Sequence, residues 1–438
     1  MFKTKFARIL GSIAAVSLIL SLAACGGGSS SHTTTSTPTA TLSQYSSSYA
    51  GAISDFTSGS NHGHVQALLF PVLTPNSPIY SSFLANVLPN ISGVSVSMSW
   101  NQIETVQGTY DFSSFDASLA PYEQPGKMVN LIVWPATEGG DNNPADGGST
   151  PPYVFTPAWA SDPSVNATNP QDMAVCGSYT GDSSNPLYSQ ATSGGGGTWD
   201  ADSNVSNATD ISGLPVSYEA PFMVAYQNFI AAVIAHYKAS GAPAIGYIRF
   251  GLSQGGEDSP ECNQYWPQAS PTLFPGCSIS DFKSGYLCYI QTMTNFIQQQ
   301  NPSMTILGDL HAVGPPGSVD YGYADTEAAD AVADGFGFGT NGLQQSDTQG
   351  GQCDSDWCAT FAKYHTDFNS QSNITLSLQT LQWSDPTNAA QTGSLTVLEP
   401  FAKANYANNL ELYLADVGLA YDLSNYCSYP HNACATIK

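Results

Sequence analysis

The sequence predicts one (β/α)8 or TIM barrel, an α/β fold in which eight parallel strands alternate with helices. Three observations predict it. Eight apolar runs of strand length recur along the chain. Stretches between them repeat apolar residues at three- and four-residue steps, the period of a helix with one buried face. About 390 residues remain beyond an N-terminal leader and the Gly/Ser/Thr-rich stretch after it, enough for one large barrel or two average domains.

The runs are HVQALLFPVL from His64, GVSVSMSW from Gly93, KMVNLIVWPATE from Lys127, IGYIRFGLS from Ile245, MTILGDLHAV from Met304, GFGFGTN from Gly335, ITLSLQTLQ from Ile374 and NLELYLA from Asn409. Two helices are well marked between them. PFMVAYQNFIAAVIAHYKAS places Pro221 in a first turn, where a missing N–H removes no bond, and DFKSGYLCYIQTMTNFIQQQ repeats the apolar period from Asp281. From Gly139 to Ser217 the chain reads as loop, far longer than an ordinary strand-to-helix connection. In a barrel such a connection rises from the carboxyl end of a strand, here the third, and shapes the mouth.

Side-chain parity divides each strand into two faces. Val94, Val96 and Met98 alternate with Ser95, Ser97 and Ser99, so the apolar set is expected to face the helices and the serines the lumen. The same parity turns Ile248, Phe250 and Leu252 outward and Tyr247 and Arg249 inward. In the eighth run Leu410, Leu412 and Leu414 go out while Glu411 and Tyr413 go in. Arg249 is the only arginine beyond Arg8. A lone guanidinium inside a barrel would cost on the order of several kcal/mol, so Arg249 requires a carboxylate such as Glu411 or Asp309.

The N-terminus carries Lys3, Lys5 and Arg8 and then an apolar run from Ile9 to Ala24, the pattern of an export signal over residues 1–24. The run is too short and wrongly flanked for a lasting membrane span. It ends in LAAC, which resembles the lipobox of bacterial lipoproteins. That resemblance implies lipidation of Cys25 and anchoring to the cell envelope, and Gly26 in the next position implies the outer membrane if the cell has one. Residues 25–60, which after Cys25 read GGGSSSHTTTSTPTATLS, are expected to be a flexible tether, with the barrel over 61–438. Loss of the leader removes three positive charges and no acidic ones, taking the formal net charge from -24 to -27. Such a field opposes binding to nucleic acid. Eight cysteines remain after Cys25, an even number in an exported chain. Proximity pairs Cys353 with Cys358, Cys427 with Cys434 and Cys262 with Cys277, leaving Cys176 for Cys288. No spacing points to a metal, and no Gly-rich phosphate loop follows a strand, so no cofactor is expected.

WNQIETVQGTYDFSSFD, from Trp100 to Asp116, is similar to the stretch after the second strand in retaining glycoside hydrolases of the large β-galactosidase and cellulase clan. TPAW, from Thr156 to Trp159, resembles a sugar-site segment of the same clan, and NLELYLADVGLAYD its last strand and helix. The resemblance implies that an acid/base glutamate ends the fourth strand and a nucleophilic glutamate the seventh, about 5 Å apart for retaining hydrolysis. Glu257 in SQGGED matches the first position, although Gly256 stands where the clan usually has Asn. In the seventh run LSLQT puts Gln379 at the second position, and an amide cannot form the glycosyl ester. Either Asp309, Glu411 or Glu138 serves as nucleophile, or the register differs, or the barrel binds sugar without cleaving it.

Three readings result: a surface glycoside hydrolase acting on a poly- or oligosaccharide with Glu257 as acid/base, a non-catalytic carbohydrate-binding barrel, and a structural or adhesive lipoprotein whose barrel mouth is plugged by side chains. Asp309 and His311 share one face at the end of the fifth run and are pocket candidates, together with Gln379, Arg249 and Glu411. Trp100, Trp134 and Trp383 stand at or just beyond strand ends, where flat rings stack on the apolar faces of pyranoses.

Overall fold

A computed structural model describes residues 42–58, 63–70, 72–135, 156–161, 217–218, 220–252, 271–280, 282–300, 305–309, 322–333, 335–343, 360–364, 376–380 and 393–421. Eight strands, each overlapping one of the apolar runs, close into a parallel barrel: β1 (His64–Leu69), β2 (Gly93–Ser99), β3 (Met128–Trp134), β4 (Ile245–Phe250), β5 (Ile306–Asp309), β6 (Gly337–Leu343, two residues beyond its run), β7 (Leu376–Thr380) and β8 (Asn409–Tyr413). They pair in chain order, and β8 returns to β1 with Gln66 beside Glu411. The principal helices are α1 (Leu42–Ser58), α2 (Ser113–Leu119), α3 (Ala220–Lys238), α4 (Phe282–Gln300), α5 (Gly322–Ala333), α6 (Leu395–Ala404) and α7 (Leu414–Tyr421).

Parity along the strands holds. Val94, Val96, Met98, Ile248, Phe250, Leu410 and Leu412 belong to the apolar layer between sheet and helices. From the helix side that layer receives Phe222, Tyr226, Phe229, Ile230 and Val233 of α3 and Tyr286, Tyr289, Ile290, Met293 and Ile297 of α4, whose spacing places them on one face. The other parity fills the lumen with polar groups. Gln66, Ser95, Asn130, Arg249, Ser377, Asn409 and Glu411 are all buried. Gly93 opens β2 because nothing larger fits: a Cβ there would lie 1.9 Å from the carbonyl oxygen of Met128 on the neighbouring strand.

Two expectations change. Residues 42–58, expected to belong to a flexible tether over 25–60, form helix α1. Its buried positions, Tyr49, Ala52, Ile53 and Phe56, follow the helical period, and it packs on α6, α7 and β1. Ser46 Oγ donates to Ala420 O at 3.0 Å and Lys403 Nζ to Asp55 O at 3.0 Å, fixing the helix over the β8–β1 seam. Serines on its exposed face give it the composition of a linker while its aromatics keep the period of a core helix. The second change concerns cysteine pairing. Cys277 bonds Cys288, with Cα atoms 5.9 Å apart, rather than Cys262 and Cys176 respectively. The turn before α4 folds back along the helix and brings Cys277 beside its second turn, a proximity set by the fold and not by the shortest loop.

Candidate active site

Glu257, Glu138, His311 and Trp383 lie outside the described residues, as do Cys25, Cys176, Cys262, Cys353, Cys358, Cys427 and Cys434. Asp309 is placed by its backbone as the last residue of β5, opposite Gly339 of β6.

Beneath the carboxyl-terminal end of the barrel, β4, β7 and β8 bring three side chains together. Arg249 is 2% exposed. Its Nη1 donates to Glu411 Oε2 at 3.3 Å and its Nη2 to Gln379 Oε1 at 2.8 Å. Gln379 and Glu411 are partners in the β7–β8 register, so one guanidinium spans the lumen to two adjacent strands. The carboxylate that Arg249 requires is thus Glu411. The other oxygen of Glu411 accepts from the Tyr247 hydroxyl. Glu411 is fully buried with both oxygens engaged, so it acts as counter-ion to Arg249 and offers no free oxygen to an anomeric carbon.

One layer further down, Asn409 Nδ2 donates to the Tyr247 hydroxyl at 3.1 Å and to Ser377 Oγ at 2.8 Å. Asn130 Oδ1 accepts from the Tyr247 backbone N–H at 3.2 Å. Burial, reinforced by the Glu411 carboxylate, drives the Tyr247 phenol well above its ordinary value, so it remains a neutral donor. The lumen floor is therefore a hydrogen-bonded plug that holds Arg249 and Glu411 from below.

The exit of β4, which leads toward Glu257, is clamped from outside. Tyr226 of α3 donates its hydroxyl to Gly251 O at 2.6 Å, and the Tyr289 hydroxyl of α4 donates to Leu252 O. Gly251 N–H continues the ladder to Val133 O at 2.9 Å. Both tyrosines sit on the apolar faces of their helices, and nothing in their spacing marks a hydroxyl that reaches past the core to a strand end.

At the rim, Trp134 ends β3 and Phe70 follows β1 directly. Their rings are stacked, with centroids 4.7 Å apart and planes 8° from parallel. Phe70 is 45% exposed, so the pair presents an aromatic face on the carboxyl-terminal side. Phe70 escapes sequence reasoning because it continues an apolar strand without a break.

Trp100 is placed differently from the mouth position expected of it. It is fully buried among Trp159, Phe222, Tyr226 and Phe229, with ring centroids 5.4–5.8 Å away. It opens a helical turn, Trp100–Ile103, and its ring enters the apolar layer against α3. Its Nε1 donates to Glu104 Oε2 at 2.6 Å, and Glu104 Oε1 accepts from Gly108 N–H at 2.7 Å. Glu104 O in turn accepts from Trp159 Nε1 at 2.9 Å, and Thr156 Oγ1 donates to Pro135 O at 2.9 Å. The WNQIE and TPAW segments therefore meet, and Glu104 ties them together. Burial lifts the Glu104 carboxyl above its ordinary value, against the opposing hydrogen bonds from Trp100, Gly108 and Tyr110.

Among the described residues no three His, Cys, Asp or Glu side chains converge to hold a metal ion. No protein-family model matches the sequence, and no curated protein matches it. Among solved structures, the chain is similar to the catalytic domain of β-amylase from Paenibacillus polymyxa at 11% identity, over 82% of this chain and 93% of that one, with a TM-score of 0.46. It is also similar to endo-glycoceramidase II from a Rhodococcus species at 12% identity, over 81% and 73% of the two chains, with a TM-score of 0.42. An exo-β-1,4-mannosidase from Opitutaceae bacterium strain TAV5 is 12% identical over 80% of this chain and 52% of its own, with a TM-score of 0.40.

Proposed function

We propose that the protein is a carbohydrate-active barrel that cleaves O-glycosidic bonds in a poly- or oligosaccharide, with Glu257 as general acid/base. The observation that carries the reading is the Phe70–Trp134 pair at the rim, an aromatic face suited to the apolar side of a pyranose, over a lumen of fixed polar groups. The clamped exit of β4 supports a role for the residues that follow it, because a general acid needs a backbone held in place. Replacing Glu257 by Gln keeps shape and removes the titrating proton. Turnover is expected to fall by about 10²- to 10⁴-fold while oligosaccharide affinity persists. Undiminished turnover in E257Q would remove Glu257 from the chemistry.

A specific observation favours a second reading, in which the barrel binds glycan without hydrolysing it. At the end of β7 the structure has the amide of Gln379, held by Arg249, and the carboxylate beside it, Glu411, is engaged on both oxygens. Absence of turnover by the wild type across a broad glycan panel, with binding retained, selects this reading.

Export and lipid attachment through Cys25 complete the proposal, on the strength of the charged and apolar leader and LAAC. Expressed in a host that processes lipoproteins, the wild type is expected in the detergent-soluble membrane fraction and Cys25→Ser in the aqueous one. Equal partition of the two chains would refute the anchor.

A further inference from the structure

At the carboxyl-terminal end of β7 stands a side chain whose polarity is fixed by its neighbour. A glutamine amide can present either its oxygen or its NH₂ to a ligand, and the choice depends on what holds the other end. In Gln379 that choice is made: Oε1 accepts from Arg249 Nη2 at 2.8 Å, and a guanidinium has only donors to offer. Turning the amide over would set NH₂ against N–H. Arg249 cannot swing away to release it, because its other arm is tied to Glu411 at the wall of a packed lumen. Gln379 is 9% exposed, and among the described residues nothing accepts from its Nε2. Among the described residues, then, the amide has its acceptor satisfied and its donor left open to a ligand oxygen.

We propose that Gln379 is a hydrogen-bond donor to the ligand, with Arg249 as the positioning residue that sets its polarity, and that the oxygen it meets belongs to an uncharged sugar. This rests on the carbohydrate reading above. It assigns the end of β7 to ligand orientation in place of nucleophilic attack. The uncharged class follows from the charge balance of the cluster. Arg249 is the only cation in it, and its charge is matched by Glu411, so an anionic ligand finds no counter-charge there. The sequence adds none on that side, because the connections leaving β3 (135–219) and β4 (251–281) contain neither Lys nor Arg. A neutral NH₂ matches a hydroxyl or ring oxygen.

The test compares Gln379→Leu, which removes the donor, with Gln379→Glu, which replaces it by an acceptor at neutral pH and restores an O–H donor when protonated. The probes are cellohexaose, mannohexaose, maltohexaose and, as the charged counterpart, hexagalacturonic acid, with binding followed by calorimetry on the full folded chain. The charged groups that face the new carboxyl among the described residues are Arg249 and Glu411. At pH 7 both variants are expected to bind the preferred neutral hexasaccharide at least tenfold more weakly than the wild type, with unchanged circular dichroism. As the pH is lowered toward 4, Q379E is expected to recover relative to the wild type and Q379L is not. Wild-type affinity in Q379L, or equal weakening of both variants at every pH, overturns the donor assignment. Tighter binding of hexagalacturonic acid than of every neutral probe overturns the uncharged class. A wild type that binds none of the four fails differently, because it removes the carbohydrate reading and this inference with it.

Discussion

Replacing Arg249 by Met is expected to destabilise the barrel by about 3–5 kcal/mol, the cost of breaking a buried ion pair from one side. The size follows from where the partner sits. Glu411 is fully buried on β8, and among the described residues Arg249 is the only cation it meets. Methionine fills much of the volume of the arginine stem but leaves the carboxylate with the Tyr247 hydroxyl alone, and it also withdraws the donor that Gln379 Oε1 receives. The reverse change, Glu411→Leu, strands the guanidinium and is expected to cost a similar amount. The double variant R249M/E411L removes both charges together, and replacing a buried pair by apolar groups is often neutral. Urea unfolding of all four proteins closes a double-mutant cycle. A double variant much more stable than the sum of the singles identifies the pair as mutually dependent. Additive losses would mean that each side chain contributes through packing alone.

The strands were legible because burial on both faces of a barrel strand still leaves a chemical contrast between them. In β2 the contrast is serine against valine, and in β4 and β8 charged against aliphatic, so the parity of Arg249 and Glu411 is written in the strands themselves. The demand for a carboxylate beside Arg249 was equally legible, since desolvation admits few alternatives. What the sequence hid lies where composition and role diverge. Helix α1 carries the residues of a linker on its outer face and a core period on its inner one, and only the packing of Tyr49, Ile53 and Phe56 reveals which dominates. Trp100 has the position of a platform and the surroundings of a core residue, because the helical turn it opens directs its ring into the layer beneath α3. The Cys277–Cys288 bond depends on how the turn before α4 folds back, which the spacing of cysteines does not encode. Phe70 meets Trp134 only when β1 and β3 are brought to one rim.

The other large effect is expected at Glu104. Its two oxygens accept from different donors, Trp100 Nε1 and the Gly108 backbone N–H, so an amide, with a single acceptor oxygen, cannot replace it in full. Glutamine supplies one acceptor and turns an NH₂ toward the second donor. Glu104→Gln is therefore expected to cost about 1–3 kcal/mol, and Glu104→Ala, which strands both donors, about 2–6 kcal/mol. The pH dependence separates the carboxyl from the packing around it. Burial raises the folded-state value of Glu104 above its ordinary 4.5. The folded chain then binds the proton more tightly than the unfolded one, so the contribution is fully present below 4.5 and is lost as pH rises through the folded value. Glutamine has no such proton. The stability gap between wild type and E104Q should accordingly be widest near pH 4 and narrow toward pH 7. A gap that widens as pH rises would mean that the hydrogen bonds from Trp100, Gly108 and Tyr110 outweigh desolvation and favour the charged form. Because Glu104 O also receives Trp159 Nε1, loosening this carboxylate should release the contact between the connections that follow β2 and β3. Tryptophan emission is expected to shift in E104A before the barrel itself unfolds, marking Glu104 as the group that keeps the two connections in register with the mouth they border.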